Sequence, residues 1–299
     1  MKVGVLLPPG DVAAVGRVPS YAELRSLALA AETGGLDSIW VYDHLLFAFP
    51  GKPRAGVWEA WTVLSGLAEA TQRVELGTLV VCTAFRNPAV LAKMAVTLDA
   101  MSGGRLILGL GAGWHEPGFA AFGLPFDHLA DRFEEAVQII VPLVHEGKVD
   151  VAGRYVSAPN CEVLPAPSRR IPVLIGAAQP RMLRLTAEYA DQWNTAWLGH
   201  VEALSEPRAA LDAAAAAVGR DPATLEVTVG VNVAFPDLGD VPDGADDPAK
   251  FLTGSVEAIA DGLRAYADAG VGHVIAWLYP VSAATVQRFA SAAQRAGAR

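Results

Sequence analysis

The sequence predicts one α/β domain over residues 1–299, a (β/α)8 TIM barrel with insertion segments. Three observations predict it. Strand-like and helix-like segments alternate strictly, eight of each, which argues for parallel strands joined by helical crossovers. A chain of 299 residues with 52% apolar composition has the length and the core for one barrel. The competing doubly wound sheet wants a glycine-rich dinucleotide fingerprint after its first strand, whereas Pro8-Pro9-Gly10-Asp11 offers a single glycine.

The elements follow in order. Residues 3–7 form a short apolar strand, and Ser20 is an N-cap type opening a helix with Leu24, Leu27 and Ala31 on one face, ended by Gly34-Gly35. Residues 38–42 are the second strand and 58–71 the second helix. The apolar, β-branched run 75–82 is the third strand; Pro88 opens a helix that closes at Ser102-Gly103-Gly104, and 106–110 is the fourth strand. Residues 129–146 form a long helix with Phe133, Val137 and Ile140 in register. Gly153, Pro159 and two β-prone runs make 149–163 a hairpin-like insertion. Strand 172–175 leads into helix 180–190, with proline in its first turn. Strand 192–196, an alanine-rich helix at 201–218 and strand 225–234 come next. The Asp-rich stretch 236–247 reads as a solvated loop or a lid rather than a metal site, because EF-hand spacing is absent. Helix 255–269 stops at Gly270, and strand 273–278 precedes a terminal helix.

Charge and cysteine content bound the function. The net charge is -9 and no Lys/Arg cluster exists, which argues against nucleic acid or an anionic membrane and for a small-molecule substrate. Cys82 falls in a strand and Cys161 in a loop, so neither a disulfide framework nor a four-ligand zinc site is expected, and no metal is assigned. The start has one basic residue and too short an apolar run for a signal peptide, and no later run reaches the ~20 residues of a spanning helix. A cytoplasmic location is expected.

In a barrel, chemistry gathers where strands end. Those positions hold Asp43 and His44, residues 83–87, 111–116 and 176–179, then Trp197, Trp277 and Tyr279. The set is poor in carboxylates and rich in aromatics, as suits a broad pocket for planar rings. Trp114, in a glycine loop, is the strongest aromatic candidate, while Trp40 and Trp193 serve equally well as core. His44 titrates near neutral pH and is the leading proton-transfer candidate, with Asp43 placed to orient it; a structural histidine at the barrel mouth is the competing reading. His115-Glu116 is a weaker acid/base pair, since no H-E-x-x-H exists and Pro117 is expected to end any helix. Gly111 and Gly113 let main-chain amides approach a ligand. The turn 175–180 runs into a helix start whose free N–H groups suit a phosphate, although the fold's usual phosphate site follows strands seven and eight.

Four segments carry a resemblance: GLDSIWVYDHL (35–45), the block 77–123, PVLIGAAQPRMLRLTAEYADQWN (172–194) and SVEAIADGLRAYADAGVGHVI (255–275). With them the chain resembles the bacterial luciferase-like superfamily of flavin and deazaflavin enzymes, and specifically its actinobacterial branch that uses coenzyme F420. The resemblance implies an oxidoreductase that moves a hydride between F420 and a small organic substrate. It implies that Asp43 and His44 lie beside the reacting carbon of the ring, the histidine acting as base or acid on substrate. It further implies a bulge at Leu79-Val80, often with a non-prolyl cis peptide, backing the ring, with Thr83 joining that wall and Trp114 beside it. Gly111, Ala112 and Gly113, together with Gly176, Ala177 and Ala178, match two turns whose amides hold the cofactor phosphate. FMN is the alternative cofactor, in a monooxygenase supplied by a separate reducing enzyme, and a non-catalytic carrier is a third class. Relatives of this kind pair as homodimers. Those that oxidise a sugar phosphate have tryptophan where Ala48 stands and a catalytic glutamate where Trp114 stands, so that substrate is not expected here.

Overall fold

The computed structural model describes residues 1–10 and 17–297; Asp11, considered above with the loop after the first strand, lies outside them. Eight parallel strands form the barrel: β1 (Lys2–Leu6), β2 (Ser38–Val41), β3 (Glu75–Thr78), β4 (Leu106–Gly111), β5 (Val173–Gly176), β6 (Gln192–Leu198), β7 (Glu226–Ala234) and β8 (His273–Tyr279). Each pairs with its successor in the chain. The ring closes through β8 on β1, with Lys2 opposite His273.

Helices cover the outside: α1 (Tyr21–Thr33), α2 (Ala60–Ala70), α3 (Pro88–Met101), α4 (Glu116–Ala121), α5 (Leu129–His145), α6 (Pro180–Tyr189), α7 (Ser205–Ala217), α8 (Val256–Asp268) and α9 (Ala283–Arg295). Their starts are written locally. Ser20 and Glu23 form a capping box on α1, worth about 1 kcal/mol. Asn87 accepts from the amides of Ala89 and Val90 to begin α3. The inner stripe of α5, including Phe133, Val137 and Ile140, is fully buried; each such side chain contributes about 1.5–3 kcal/mol of transfer free energy.

Several boundaries differ from the sequence expectation. The run 75–82 is not one strand: pairing lapses at Leu79 and Val80, whose peptide bond is cis, and resumes where Val81–Cys82 meets the end of β4. The stretch 201–218 divides into a 3-10 turn, Val201–Leu204, and α7. Pro207 explains the division, because its ring would clash with the Ala203 carbonyl of a continuous helix. Pro117 does not end a helix but sits in the first turn of α4, where its missing N–H is no loss.

The 149–163 insertion is the antiparallel hairpin Lys148–Ala152 with Ser157–Glu162. Glu135 of α5 fixes its turn by accepting from the amides of Arg154, Tyr155 and Val156 at 2.8, 2.7 and 2.9 Å. A second, unanticipated hairpin, Leu46–Phe47 with Ala55–Gly56, follows β2. The Asp-rich stretch contains a 3-10 turn, Pro236–Leu238, tied through Asp237 to Arg288, and buries Ala245 against Ala234 and Phe251. Among the described residues no group of three or more His, Cys, Asp or Glu is placed to hold a metal, and no helix is long and apolar enough to cross a membrane.

Inside the barrel, Trp40 lies flat against Gly77, where a Cβ would stand 2.0 Å from the indole Cε3. Its Nε1 donates to Ser38 Oγ at 2.7 Å, and that hydroxyl is 2.7 Å from His273 Nε2. Burial pushes His273 down to about 3, so the imidazole is neutral, and its Nδ1 has no hydrogen-bond partner among the described residues. Trp193 is equally buried but on the outer side, donating from Nε1 to the Ala177 carbonyl at 2.9 Å. Both of these tryptophans are core.

Candidate active site

The carboxyl ends of β2, β3, β4, β6 and β8 surround a cavity of about 590 Å3, within the range of small-molecule sites. Trp114, Trp197, Trp277, Phe47 and Phe49 supply most of its wall, with His44 and Leu79 at its inner end. A smaller chamber of about 140 Å3 continues inward past His44 and Trp114 to Val80, Cys82 and Gly113. His44 therefore stands where the two spaces meet.

Val80 forms the base of this arrangement because neighbouring positions lack side chains. A Cβ on Gly111 would come within 2.6 Å of Val80 Cγ2, and one on Gly176 within 3.4 Å of Cγ1. Gly109 is closer still to the preceding backbone, its Cβ position being 1.9 Å from the Thr78 carbonyl oxygen. Thr83 donates to the Gly111 carbonyl at 3.3 Å, and Cys82 Sγ lies 3.7 Å from the Ala112 carbonyl, so the third strand's end is stitched to the fourth's. Burial pushes the Cys82 thiol up to about 12, which leaves it protonated and unreactive.

His44 is half-buried and contacts rings on three sides. Phe47 lies 4.5 Å away between centroids, Trp114 5.4 Å and Tyr42 5.8 Å. Among the described residues it makes no hydrogen bond. Burial, aided by His115 nearby, lowers it to about 4. It is thus a neutral imidazole at the cavity wall, and among the described residues it lacks the hydrogen bond expected of a structural histidine.

Asp43 does not orient His44. Its carboxylate is spent elsewhere: Oδ2 accepts from Arg86 Nη1 at 2.6 Å and from the Cys82 amide at 3.1 Å, while Oδ1 accepts from Arg86 Nη2 at 3.1 Å. Arg86 also pairs with Glu59, the residue that caps α2. Burial raises Asp43, opposed by Arg86 and the amide; burial works against the charge of Arg86 too, yet its bonds to Asp43 and Glu59 raise it. This clamp joins the ends of β2 and β3 to the start of α2.

His115 does not pair with Glu116 as an acid/base couple. Its Nε2 accepts from the Ala48 amide at 3.0 Å. A nitrogen that accepts carries no proton, so the ring is the neutral Nδ1–H tautomer, and burial lowers its pKa accordingly. The bond holds the 46–56 hairpin over the site, helped by ring contacts from His115 to Phe47 and Phe49.

The two glycine turns lie at adjacent strand ends, since Leu110 of β4 pairs with Ile175 of β5. Gly113, at φ +86, and Trp114 line the cavity, whereas Gly176, Ala177 and Ala178 lie outside it. The Ala177 amide is already bonded to the Asn194 carbonyl at 3.2 Å, so it is not free for a ligand. The amides of Arg181 and Met182, behind Pro180 at the start of α6, remain without intrahelical partners.

The F-A-F-P segment, which the sequence offers as lining for a fairly apolar substrate, does supply Phe47 and Phe49 to the cavity wall, whereas sequence reading missed the roles of Arg86, Lys52 and Arg54. A carboxylate at a barrel-strand end implies a buried cation partner, but nothing in the spacing says which arginine fills that role. The Lys52 and Arg54 positions depend on an unanticipated hairpin.

The chain is similar to known proteins over most of its length. The model of the luciferase-like monooxygenase family matches residues 1–240. An F420-dependent glucose-6-phosphate dehydrogenase of Amycolatopsis mediterranei is 35% identical over 177 residues, 57% of this chain and 50% of that protein. The pyrimidine monooxygenase RutA of Methylobacterium radiotolerans is 34% identical over 206 residues, 64% of this chain and 53% of that protein. The chain thus spans about half the length of these two curated relatives. An F420-dependent secondary alcohol dehydrogenase, solved in complex with an F420-acetone adduct, superposes with a TM-score of 0.80 at 19% identity, covering 99% of this chain and 98% of that one. At that identity the superposition establishes the shared barrel fold.

Proposed function

The chain belongs to the luciferase-like monooxygenase family, and from that premise we propose that it transfers a hydride between coenzyme F420 and a small organic substrate, His44 exchanging the proton. The observation that carries the reading is the neutral imidazole at the wall of a large aromatic cavity, which makes no hydrogen bond among the described residues.

The residues present fit a flat tricyclic ring. The cavity is aromatic and large enough, Val80 in its glycine cradle offers a smooth apolar backing, and the buried Trp277 Nε1 is a donor without a partner among the described residues. When bound, the deazaflavin supplies a ring carbon that accepts or returns hydride. Leu79 and Val80 would back the ring and Trp114 would flank it, while Thr83 keeps the wall in register. The turns 111–113 and 176–178 lie at adjacent strand ends on the side proposed for the phosphate, where, with the Ala177 amide already bonded to Asn194, the amides of Arg181 and Met182 at the α6 start would be the donors. His44, unprotonated at neutral pH, takes the hydroxyl proton of an alcohol as its carbon loses hydride, and returns it in the reverse direction. Asp43 serves through Arg86, fixing the loop that carries His44.

The similarity to a pyrimidine monooxygenase supports a second reading, an FMN-dependent monooxygenase fed by a separate reductase. Fluorescence titration of the apoprotein with oxidised F420 and with FMN separates the two. Saturable, tighter binding of F420 is expected; preference for FMN favours the second reading, and binding of neither removes both. The reading includes a homodimer, supported by the exposed apolar Val90 and Met101 on α3. Sedimentation showing monomer alone would remove that part.

A further inference from the structure

Among the described residues, the lip of the large cavity carries two cations and no anion. Lys52 and Arg54 both line it, and among the described residues none of its lining groups is a carboxylate. That is an unusual local balance in a chain with 32 Asp and Glu against 23 Lys and Arg. Most of the other cations are engaged: Arg86 with Asp43, Arg169 with Asp99, Arg181 with Glu134, Arg264 with Glu257. Neither Lys52 nor Arg54 has an ion-pair or hydrogen-bond partner for its side chain among the described residues.

Their placement is built by the backbone. The Lys52 amide donates to the Phe49 carbonyl at 3.1 Å, closing a turn that has Gly51 at φ +73. The antiparallel pair Phe47 with Ala55 then turns the segment back, and His115 ties its base to the barrel through the Ala48 amide. Two cations above an apolar aromatic wall make a site with two chemistries. The aromatic wall takes a flat or aliphatic body, and the unpaired cations attract a negative group at its end.

We propose that Lys52 and Arg54 form an anion subsite, and that the substrate of the proposed hydride transfer is an amphipathic acid whose carboxylate lies at this lip and whose apolar body extends toward His44. The proposal rests on the redox reading for what happens at His44, but the subsite itself does not need it. The turns proposed for the cofactor phosphate follow β4 and β5, whereas Lys52 and Arg54 follow β2. A cofactor anion and a substrate anion therefore occupy different sectors of the mouth.

The test uses hydrocinnamate and its neutral isostere hydrocinnamamide, titrated calorimetrically into the native protein and a Lys52→Ala/Arg54→Ala variant. The native protein is expected to bind the carboxylate about tenfold more tightly than the amide, as two partly solvated ion pairs allow, with the preference shrinking in salt. The variant should lose the preference and keep its affinity for the amide. Equal binding of acid and amide by the native protein, or a preference that survives in the variant, overturns the subsite. Oxidised F420 is titrated into both proteins in parallel. Equal F420 binding by the two assigns the anion to substrate, whereas F420 binding lost only in the variant assigns it to the cofactor and overturns the proposal. If F420 binds neither protein while the acid preference holds, the redox reading fails and the subsite stands.

Discussion

Arg86 grips both oxygens of Asp43, with Nη1 2.6 Å from Oδ2 and Nη2 3.1 Å from Oδ1, and the carboxylate side chain has no exposed surface. Removing the cation leaves a buried carboxylate with only the Cys82 amide to compensate it. Arg86→Ala is expected to cost about 3–5 kcal/mol of stability, measured by urea denaturation. Arg86→Lys should recover only part, because an ammonium cannot fork across two oxygens. An Arg86→Ala protein that unfolds at the native urea midpoint would show that the clamp is not a major support.

His44 is expected to matter for turnover and little for cofactor affinity. His44→Ala should slow alcohol oxidation by roughly 10²–10⁴ while F420 still binds in a fluorescence titration. Unchanged turnover removes the proposed proton transfer and leaves the carrier reading in place.

The same residue sets a pH dependence. A base must be unprotonated, and burial has lowered His44 to about 4. Oxidation should therefore stay level as pH falls through the usual imidazole range and decline only on approaching 4. An activity profile that already halves near 6.5, the ordinary value, would contradict a buried neutral base.

Val80 and its glycines give a graded test. Gly111→Ala pushes a methyl to within 2.6 Å of Val80, whereas Gly176→Ala brings one only to 3.4 Å, ordinary contact. The first should cost about 1–3 kcal/mol by overpacking and weaken F420 binding; the second should do less of both. Equal effects from the two would separate the cofactor site from the position of Val80.

His273 predicts how stability responds to acid. Its folded pKa of about 3 lies below the ordinary 6.5, so between those values the unfolded chain binds the proton and the folded one does not. Stability is complete above 6.5 and falls as pH drops toward 3, by up to about 1.4 kcal/mol per pH unit from this residue. His44 adds in the same direction between 6.5 and about 4. In His273→Asn, the slope of stability against pH should be shallower than in the native protein, as read from thermal melts.

The barrel was legible because its signals are local. Ser20 with Glu23, Asn87 before Pro88, and the apolar runs of β4 and β7 each state their element within a few residues. The position of His44 and Gly113 at the barrel mouth was also legible, since strand ends in a barrel point there. Partners were not. Arg86 meets Asp43 across a separation of 43 residues, and His115 meets Ala48 across 67. Such pairings are created by barrel closure, which no window of sequence contains. Asp43 looked like an orienter of its neighbour for the same reason: adjacency in sequence was visible, while the distant guanidinium that claims it was not.

Barrel closure also governs how this protein behaves in a crowd. Every one of the eight strands finds a neighbour on both sides, so the ring offers no open row of amides on which another chain's strand might template itself. Among the described residues the remaining ribbons are the small hairpins at 46–56 and 148–162 and the short Val81–Cys82 and Phe251–Thr253 strands. The longest of them bears Lys148 and Pro159, a charge and an imino acid that discourage sheet extension. Fibre-like growth from the native state is thereby blocked by topology, and stickiness awaits unfolding of the ring itself.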